Sequence, residues 1–221
     1  MSTADNQSPK ARVAVLASGS GSNFQALLDA AQTGYLDADI GLLIVNKPEA
    51  FACTRAERAG VEHCVIDHKN FPDREQFDQA VAKRLREYQP DWIVLAGFMR
   101  ILTDTFVREF QGRMINIHPS LLPHYPGLHT HQRALENGDQ EHGVSVHFVT
   151  PTVDAGPLIA QASLPIEPDD TAESLQQRVH LLEHKLYPYS LQQLILGQID
   201  FQQAQQNPPE RFTQAQLARL L

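Results

Sequence analysis

Short apolar runs alternate with helical patterns along most of the chain. The first run, RVAVLAS at positions 12–18, precedes a turn of glycine and serine and then a set of apolar residues on one helical face, namely Phe24, Leu27, Leu28 and Ala31. The same order predicts further strands in ADIGLLIVN, VEHCVID, DWIVLAGFM and RMINIH, and helices in FACTRAERAG, REQFDQAVAKRLREYQ, TDTFVREF and HTHQRALENG. Alternation of this kind is typical of a parallel sheet with crossover helices.

The pattern changes after this region. GVSVHFVT and PLIAQASLPI predict two strands, and the short linker PTVDAG between them fits an antiparallel pair. A long helical segment follows, with Leu175, Val179, Leu182 and Leu186 on one face. We therefore predict one α/β domain at residues 11–196, with an open, mostly parallel, twisted, Rossmann-like sheet, helices on both faces and antiparallel C-terminal strands. Residues 1–10 are predicted to be a polar leader, and the Gln- and Pro-rich residues 197–221 a surface extension.

Composition narrows the class of protein. A chain of 221 residues with 42% hydrophobic residues suffices for one such domain. The formal net charge of −8 argues against a nucleic-acid-binding surface, which needs clustered Lys and Arg. No apolar run has the length that spans a bilayer, so no membrane contact is expected. Cys53 and Cys64 are too few for a disulfide framework and lack CxxC spacing, which predicts a reducing cytoplasm as the compartment.

The first candidate site is the loop in ASGSGSNFQALL, positions 17–28. Small residues between a first parallel strand and a helix offer free backbone N–H groups to a phosphate. The stretch lacks the third glycine of the dinucleotide fingerprint, and Asn46 stands where an acidic residue would close the second strand. A single phosphate monoester therefore fits better than a pyrophosphate. The alternative is a tight turn without a ligand, with Ser22 as the helix N-cap.

The second candidate site is the stretch NIHPSLLPHYPGLHTH, positions 116–131. Asn116 and His118 are two apart at the end of a predicted strand, so their side chains point to the same side. An amide can hold a developing oxyanion while an imidazole exchanges a proton near neutral pH. Zinc is an alternative, because six of the ten histidines lie between His118 and His147. It is disfavoured because HExxH is absent and His129 and His131, two apart near a helix start, diverge.

Two further residues remain ambiguous from their surroundings alone. Asp154 stands in the turn TPTVDAGPLI, where an aspartate usually serves the turn itself. If this loop folds over the carboxyl edge of the sheet, Asp154 meets His118. His147 lies inside a strand and is predicted to be a histidine at the edge of the core with a hydrogen-bond partner.

Taken together, the motifs resemble one family. ASGSGSNFQALL, AGFMRIL, INIHPSLLPHYPGLHTHQRALENG, GVSVHFV and VDAGPLI, in this order and spacing, resemble the folate-dependent glycinamide ribonucleotide formyltransferases of purine synthesis. The resemblance covers residues 11–195. It implies the formyltransferase fold and transfer of a formyl group from 10-formyltetrahydrofolate to the amine of glycinamide ribonucleotide. No metal and no nucleic-acid or membrane partner is implied, and a monomer and a homodimer both remain open.

The resemblance also implies roles for particular residues. The catalytic residues would be Asn116, His118 and Asp154, and Asp154 would favour the charged form of His118. The ribonucleotide would be bound by Gly21, Ser22, Asn23 and Glu183. The folate would be bound by Arg74, Met99, Arg100, Ile101, Leu102, Asn116, Thr150, Pro151, Thr152, Val153 and Asp154. The Leu122–Pro123 peptide bond would be cis.

Related chemistries remain as rivals. Methionyl-tRNA formyltransferase shares the HPSLLP-type loop but carries an additional C-terminal RNA-binding domain, for which this chain has no room. Formyltetrahydrofolate deformylase shares the catalytic trio but has an N-terminal regulatory domain, and water as its acceptor would leave GSGSN without a role. A non-enzymatic phosphosugar- or folate-binding protein would keep the loops but would not need Asn116, His118 and Asp154 together.

Overall fold

A single sheet of eight strands runs through the computed structural model, which describes residues 9–220. The strand order is β3-β2-β1-β4-β5-β6-β7-β8. The strands are β1 (Ala11–Ala17), β2 (Ala38–Val45), β3 (Glu62–Val65), β4 (Trp92–Leu95), β5 (Met114–His118), β6 (Glu141–Phe148), β7 (Leu158–Pro165) and β8 (Glu210–Thr213). Strands β1 to β5 pair in parallel, and β6 is antiparallel to both β5 and β7. The predicted mostly parallel sheet with antiparallel C-terminal strands is confirmed.

Helices cover both faces of the sheet. They are α1 (Ser22–Gln32), α2 (Ala52–Ala59), α3 (Arg74–Tyr88), α4 (Asp104–Glu109), α5 (Thr130–Asn137), α6 (Ala172–Ile195), α7 (Phe201–Gln206) and α8 (Gln214–Leu217), with a 3-10 helix at His68–Asn70. Alternate residues of β1 enter two separate cores, because successive side chains of a strand point to opposite faces. Val13, Val15 and Ala17 pack with α1, α2 and α6, whereas Ala14 and Leu16 pack with α3 and α4.

Local sequence signals set most helix ends. Gly60 ends α2 in the left-handed conformation that glycine adopts without strain. The Asp73 side chain accepts a hydrogen bond from the backbone N–H of Gln76 at the start of α3. Thr171 and Ser174 form a reciprocal capping box at the start of α6. The apolar face predicted for this helix is buried in full, with Leu175, Val179, Leu182 and Leu186 all at 2% exposure or less.

Two expectations are wrong, and a third falls mostly outside the described residues. The strand predicted in DWIVLAGFM ends at Leu95, and Phe98–Leu102 form a loop before α4. The extension 197–221, predicted to be a plain surface segment, instead contributes α7, β8 and α8, and β8 pairs in parallel with β7. Most of the predicted leader, residues 1–8, lies outside the described residues.

The strand order creates a crevice at one edge of the sheet. Strand β1 lies between β2 and β4, so the chain leaves β1 toward one side and leaves β4 toward the other. Open sheets bind ligands outside the carboxyl ends of the strands at such a switch point. The loop at 18–21, the loop at 96–103 and the end of β5 all lie at this edge. Among the described residues, no helix is long and apolar enough to cross a membrane.

We expect Tyr187→Phe to destabilise the strands that form this crevice. The buried hydroxyl of Tyr187 in α6 donates to the carbonyl oxygen of Leu95 at 2.8 Å, with the carbonyl oxygen of Ile115 at 3.2 Å. Its loss should lower the free energy of unfolding by about 1 kcal/mol, measured by urea denaturation. The control is Tyr189→Phe, whose hydroxyl donates to Glu210 near the surface. An equal loss in both variants would contradict this account.

Candidate active site

Asn116 and His147 are opposite each other on paired strands. The antiparallel register of β5 and β6 places the two residues side by side. The Asn116 side-chain N–H donates to Nε2 of His147 at 3.2 Å. His147 in turn donates from Nδ1 to the carbonyl oxygen of Phe148 at 2.8 Å. One N–H of the Asn116 amide is thereby engaged, and the orientation of the amide is fixed while its second N–H stays available.

Asp154 comes from the loop between β6 and β7 and joins the two histidines. Its Oδ2 accepts a hydrogen bond from the backbone N–H of Gly127 at 2.8 Å and lies 3.4 Å from Nδ1 of His118. Its Oδ1 lies 3.7 Å from Nε2 of His147. The Asp154 side chain is only 9% exposed. The loop therefore does fold back over β5, and Asp154 does meet His118.

His118 lies between two acceptors. Its Nε2–H donates to the carbonyl oxygen of Tyr125 at 2.9 Å, and its Nδ1 faces the Asp154 carboxylate. A neutral imidazole has only one N–H, whereas an imidazolium has two. The surroundings of His118 therefore suit the charged ring. By contrast, burial lowers the pKa of His147, which keeps that ring neutral and able to accept from Asn116.

The backbone around this cluster is strained. Of the four non-glycine residues with positive φ among residues 9–220, three belong to these loops: Tyr125 at 55°, His129 at 58° and Asp154 at 52°. Such conformations persist only where surrounding contacts hold them. The Leu122–Pro123 bond is cis, as the resemblance implies.

Buried hydrogen bonds fix the stretch that follows His118. The Ser145 hydroxyl on β6 donates to the carbonyl oxygen of Ser120 at 2.7 Å and accepts from the backbone N–H of Leu122 at 3.0 Å. Gln161 on β7 donates to the carbonyl oxygen of Leu122 at 2.8 Å. The histidine loop is thus pinned to two neighbouring strands rather than free at the surface.

The loop after β1 begins α1 in an unusual way. Gly21 occupies the N-cap position with φ 68°, so the alternative of Ser22 as N-cap is wrong. A Cβ on Gly21 would stand 2.7 Å from Cβ of Ala52, so α2 packs against a loop that only glycine can form. Helix α2 also binds the loop carbonyls: the Ala52 N–H donates to Gly19 and Arg55 Nε donates to Ser20. The first N–H groups of α1 have no acceptor within the helix.

Asn23 and Glu183 meet beside that helix start. The Asn23 amide donates to Oε2 of Glu183 at 2.6 Å, and the two residues are 8% and 4% exposed. Burial raises the pKa of the Glu183 carboxyl, and the bond from Asn23 opposes this. Oδ1 of Asn23 is buried and lacks a partner among the described residues. The four residues expected to bind one substrate, Gly21, Ser22, Asn23 and Glu183, therefore lie together.

The loop after β4 and the loop carrying Asp154 expose apolar side chains. Met99 is 63% exposed, Ile101 60% and Val153 50%. Leu102 is buried, and Nε of Arg100 is buried without a partner in the described part of the chain. Thr150 and Pro151 are half-buried and Thr152 is exposed. Arg74, the first residue of α3, is partly exposed, and its charge acts on Asp78 one turn further along.

The remaining histidines of the motif divide into two kinds. His124 and His129 are exposed. His131 and His142 are buried, and Nδ1 of His131 lies 3.1 Å from Nε2 of His142. One ring must donate and the other accept, so a single proton lies between these two nitrogens. Within residues 9–220, no group of three His, Cys, Asp or Glu side chains is arranged to hold a metal ion.

Neither cysteine is an activated nucleophile. Burial raises the pKa of the Cys53 thiol and of the Cys64 thiol, and both are free. A reactive cysteine needs a lowered pKa. The chemistry of this site therefore falls to amide, imidazole and carboxylate groups.

A family model described as formyl transferase matches residues 11–191. The chain belongs to the formyl transferase family. The resemblance seen in the sequence motifs is thereby confirmed, and so is the expectation of a formyl-transferring enzyme.

Several members of the formyl transferase family are closely similar to the chain. The phosphoribosylglycinamide formyltransferase of Escherichia coli K12 is 48% identical over 176 residues, which are 80% of this chain and 83% of that protein. The human trifunctional purine biosynthetic protein adenosine-3 is 46% identical over 190 residues, 86% of this chain but 19% of that protein. The chain likewise spans 14% of the Drosophila melanogaster protein of that name, at 50% identity.

A solved structure shares the fold as well. The phosphoribosylglycinamide formyltransferase of Coxiella burnetii, in complex with CHES, superposes with a TM-score of 0.84 at 49% identity. The match covers 87% of this chain and 90% of that one. The formyltransferase fold implied by the motifs is confirmed.

The sequence pattern does not identify every residue of this site. His147 is buried and has the hydrogen-bond partners that the sequence predicted, but its role in orienting Asn116 and its approach to Asp154 were not predicted. Its register opposite Asn116 was the one available signal, since antiparallel partners face the same side. The carbonyl group of Tyr125 carries no signal in the sequence, because any residue has one.

The buried pair of histidines predicts acid sensitivity. Burial, as the first cause, lowers the pKa of His131 and of His142 to about 4 from 6.5. Between these values the unfolded chain binds more protons, so folding stability falls as the pH drops from about 6.5 toward about 4. We expect His142→Gln to lose less stability between about pH 7 and pH 5 than the parent. Urea midpoints at both pH values measure this, and equal losses would contradict it.

Proposed function

We propose that the chain transfers the formyl group of 10-formyltetrahydrofolate to the primary amine of glycinamide ribonucleotide, a step of purine biosynthesis in the cytoplasm. One observation carries the proposal: Asn116 and His118 of β5 meet Asp154 of the loop between β6 and β7 at the same sheet edge as the loop Gly21–Asn23. The names of the E. coli and Coxiella burnetii relatives support it. The activities of the longer trifunctional relatives reach beyond the span that this chain covers.

Asn116 and His118 supply the electrostatics of the reaction. When the amine attacks the formyl carbon, the carbonyl oxygen gains negative charge. The free N–H of Asn116 and the charged ring of His118 can stabilise that oxygen. His147 and Asp154 hold these two groups in place before the substrates arrive, so little reorganisation is needed during the reaction.

The proton balance of the transfer closes without any further reagent. The attacking amine loses one proton, and the nitrogen that leaves the formyl group gains one. Once its Nε2–H leaves the carbonyl oxygen of Tyr125, His118 can pass this proton to the leaving nitrogen and be recharged by the proton from the amine. Asp154 keeps the ring charged between these events because a neighbouring carboxylate favours the imidazolium. No covalent bond to the enzyme forms, and positioning two substrates together supplies much of the rate.

The start of α1 fits the phosphate of the ribonucleotide. Free N–H groups and the positive end of the helix dipole favour an anion there. The left-handed Gly21 lets the backbone approach that anion closely. The buried carboxyl of Glu183, next to Asn23, is placed to accept hydrogen bonds from ribose hydroxyls.

The exposed apolar residues fit the folate. Met99 and Ile101 on the loop after β4, and Val153 on the loop that carries Asp154, are exposed apolar side chains, which suit a flat heteroaromatic ring. The backbone of the segment 99–102 and of the loop 150–154 can satisfy the polar edge of that ring. Arg74, at the start of α3, has an exposed charge that suits the carboxylates of a folate tail.

A direct assay tests the proposal. The purified protein is mixed with 10-formyltetrahydrofolate and glycinamide ribonucleotide, and the folate absorbance is followed. Formation of tetrahydrofolate only in the presence of the ribonucleotide is expected. Release of formate without an acceptor would instead indicate a deformylase. Binding of both compounds without turnover would indicate a non-enzymatic binding protein.

We expect Asn116→Ala and His118→Ala each to reduce turnover by a factor on the order of 10² to 10⁴, the range for a lost oxyanion donor or general acid. His124→Ala is the matched control, because His124 comes from the same loop but is exposed. It should retain most of the activity. Similar losses in all three variants in a steady-state assay would count against the assigned roles.

Asp154→Asn should lower turnover. The amide can still accept from the N–H of Gly127, but it no longer places a negative charge beside Nδ1 of His118, where positive charge is needed when the amine attacks. We therefore expect kcat to fall by a factor on the order of 10² or more, with a much smaller change in KM. Steady-state kinetics with both substrates measure this. A kcat equal to that of the parent would show that the carboxylate is not required.

A further inference from the structure

A buried carboxylate lies outside the reacting cluster. Asp78, in the middle of α3, is 2% exposed and lies on the helix face that also buries Phe77 and Val81. Burial raises the pKa of its carboxyl. Placing a carboxylate among apolar side chains is unfavourable unless hydrogen bonds compensate for the lost water. A helix needed only for packing would carry an apolar residue there.

The contacts of Asp78 explain its position. Its Oδ2 accepts a hydrogen bond from the backbone N–H of Thr103 at 2.6 Å. Thr103 is the N-cap of α4 and closes the loop Phe98–Leu102. Asp78 therefore fixes the last residue of that loop.

The other end of the loop is held in the same way. The Ser18 hydroxyl accepts from the backbone N–H of Met99 at 2.7 Å and donates to Oδ1 of Asn46 at 2.6 Å. The Ser18 N–H donates to the carbonyl oxygen of Gly97 at 3.1 Å. All three side chains of this arrangement, Ser18, Asn46 and Asp78, are at most 4% exposed. Asn46, which excluded a dinucleotide fingerprint, thus has a role in holding Ser18.

We propose that Asp78 and Ser18 are positioning residues that fix the shape of the apolar surface of Met99 and Ile101, and so set the affinity for the folate. The inference rests on the proposed function. The side chains of Asp78 and Ser18 are at most 4% exposed, so they form almost none of the binding surface. Both act through the backbone of the loop Phe98–Leu102 instead. Because Asp78 belongs to the core formed by α3 and α4, its effect on the phosphate-binding loop at α1 should be small.

Equilibrium binding separates this role from a general loss of stability. Tetrahydrofolate and glycinamide ribonucleotide are titrated separately by calorimetry into the full-length parent and variants, and thermal unfolding is measured alongside. We expect Asp78→Ala to weaken tetrahydrofolate binding about tenfold, since a buried N–H loses its acceptor, and to change ribonucleotide binding less than about twofold. Asp78→Asn keeps an acceptor for Thr103 and should recover most of the folate affinity.

Asp91→Ala is the matched control. Oδ2 of Asp91 accepts from the backbone N–H of Arg12 at 2.7 Å, a contact of the same kind at the opposite end of β1 and β4. This variant should retain both affinities. Ser18→Ala tests the other end of the loop, and decides the matter if Asp78→Ala does not fold: folate affinity should fall there as well.

The outcomes are distinct. Unchanged folate affinity in a folded Asp78→Ala or Ser18→Ala variant would overturn the proposal, and so would equal losses for both ligands in Asp78→Ala. A loss of folate affinity in Asp91→Ala as large as in Asp78→Ala would also overturn it. Failure of the parent to bind tetrahydrofolate would instead refute the proposed function, before any variant is compared.

Discussion

The arrangement of the site depends on one buried carboxylate. Asp154 is almost shielded from water, so it needs donors or positive charge nearby. The N–H of Gly127 supplies one donor, but His147 is kept neutral by its own burial. The ring of His118 is the other partner: its Nδ1 lies 3.4 Å from Oδ2 of Asp154, and its Nε2–H donates to the carbonyl oxygen of Tyr125. The polarity of the site thus follows from the folding of one loop over β5.

The strands and loops that meet at this centre are far apart in sequence. Asn116 and His118 come from β5, and His147 from β6, where antiparallel register sets it opposite Asn116. Ser145 on β6 also ties down the stretch after His118. Strand β6 therefore fixes both the Asn116 amide and the stretch that follows His118. A shift of β6 by one residue would turn both contacts to the other face of the sheet.

The sequence predicts those features of the site that follow from local periodicity. Asn116 and His118 were predicted to face the same side because side chains alternate along a strand. Tertiary contacts decide the rest. In the sequence Asp78 is an ordinary helical aspartate, and only the structure shows that it binds the backbone N–H of Thr103. Similarly, β8 forms by pairing with the otherwise free edge of β7. Residues after Leu95 are apolar enough for a strand, but the contacts of Ser18 and Asp78 hold them as a loop.

The two regions proposed to bind the substrates lie over different cores. The loop at Gly21 and the residue Glu183 belong to the face formed by α1, α2 and α6, whereas the surface of Met99 and Ile101 is backed by α3 and α4. Strand β5 lies next to β4 in the sheet and carries Asn116 and His118, the proposed reacting groups. Substitutions more than about 7–10 Å apart that share no partners usually act additively. Under the proposed function, the fold therefore permits the acceptor side and the donor side to change independently, while Asn116, His118 and Asp154 would couple them only at the point of transfer.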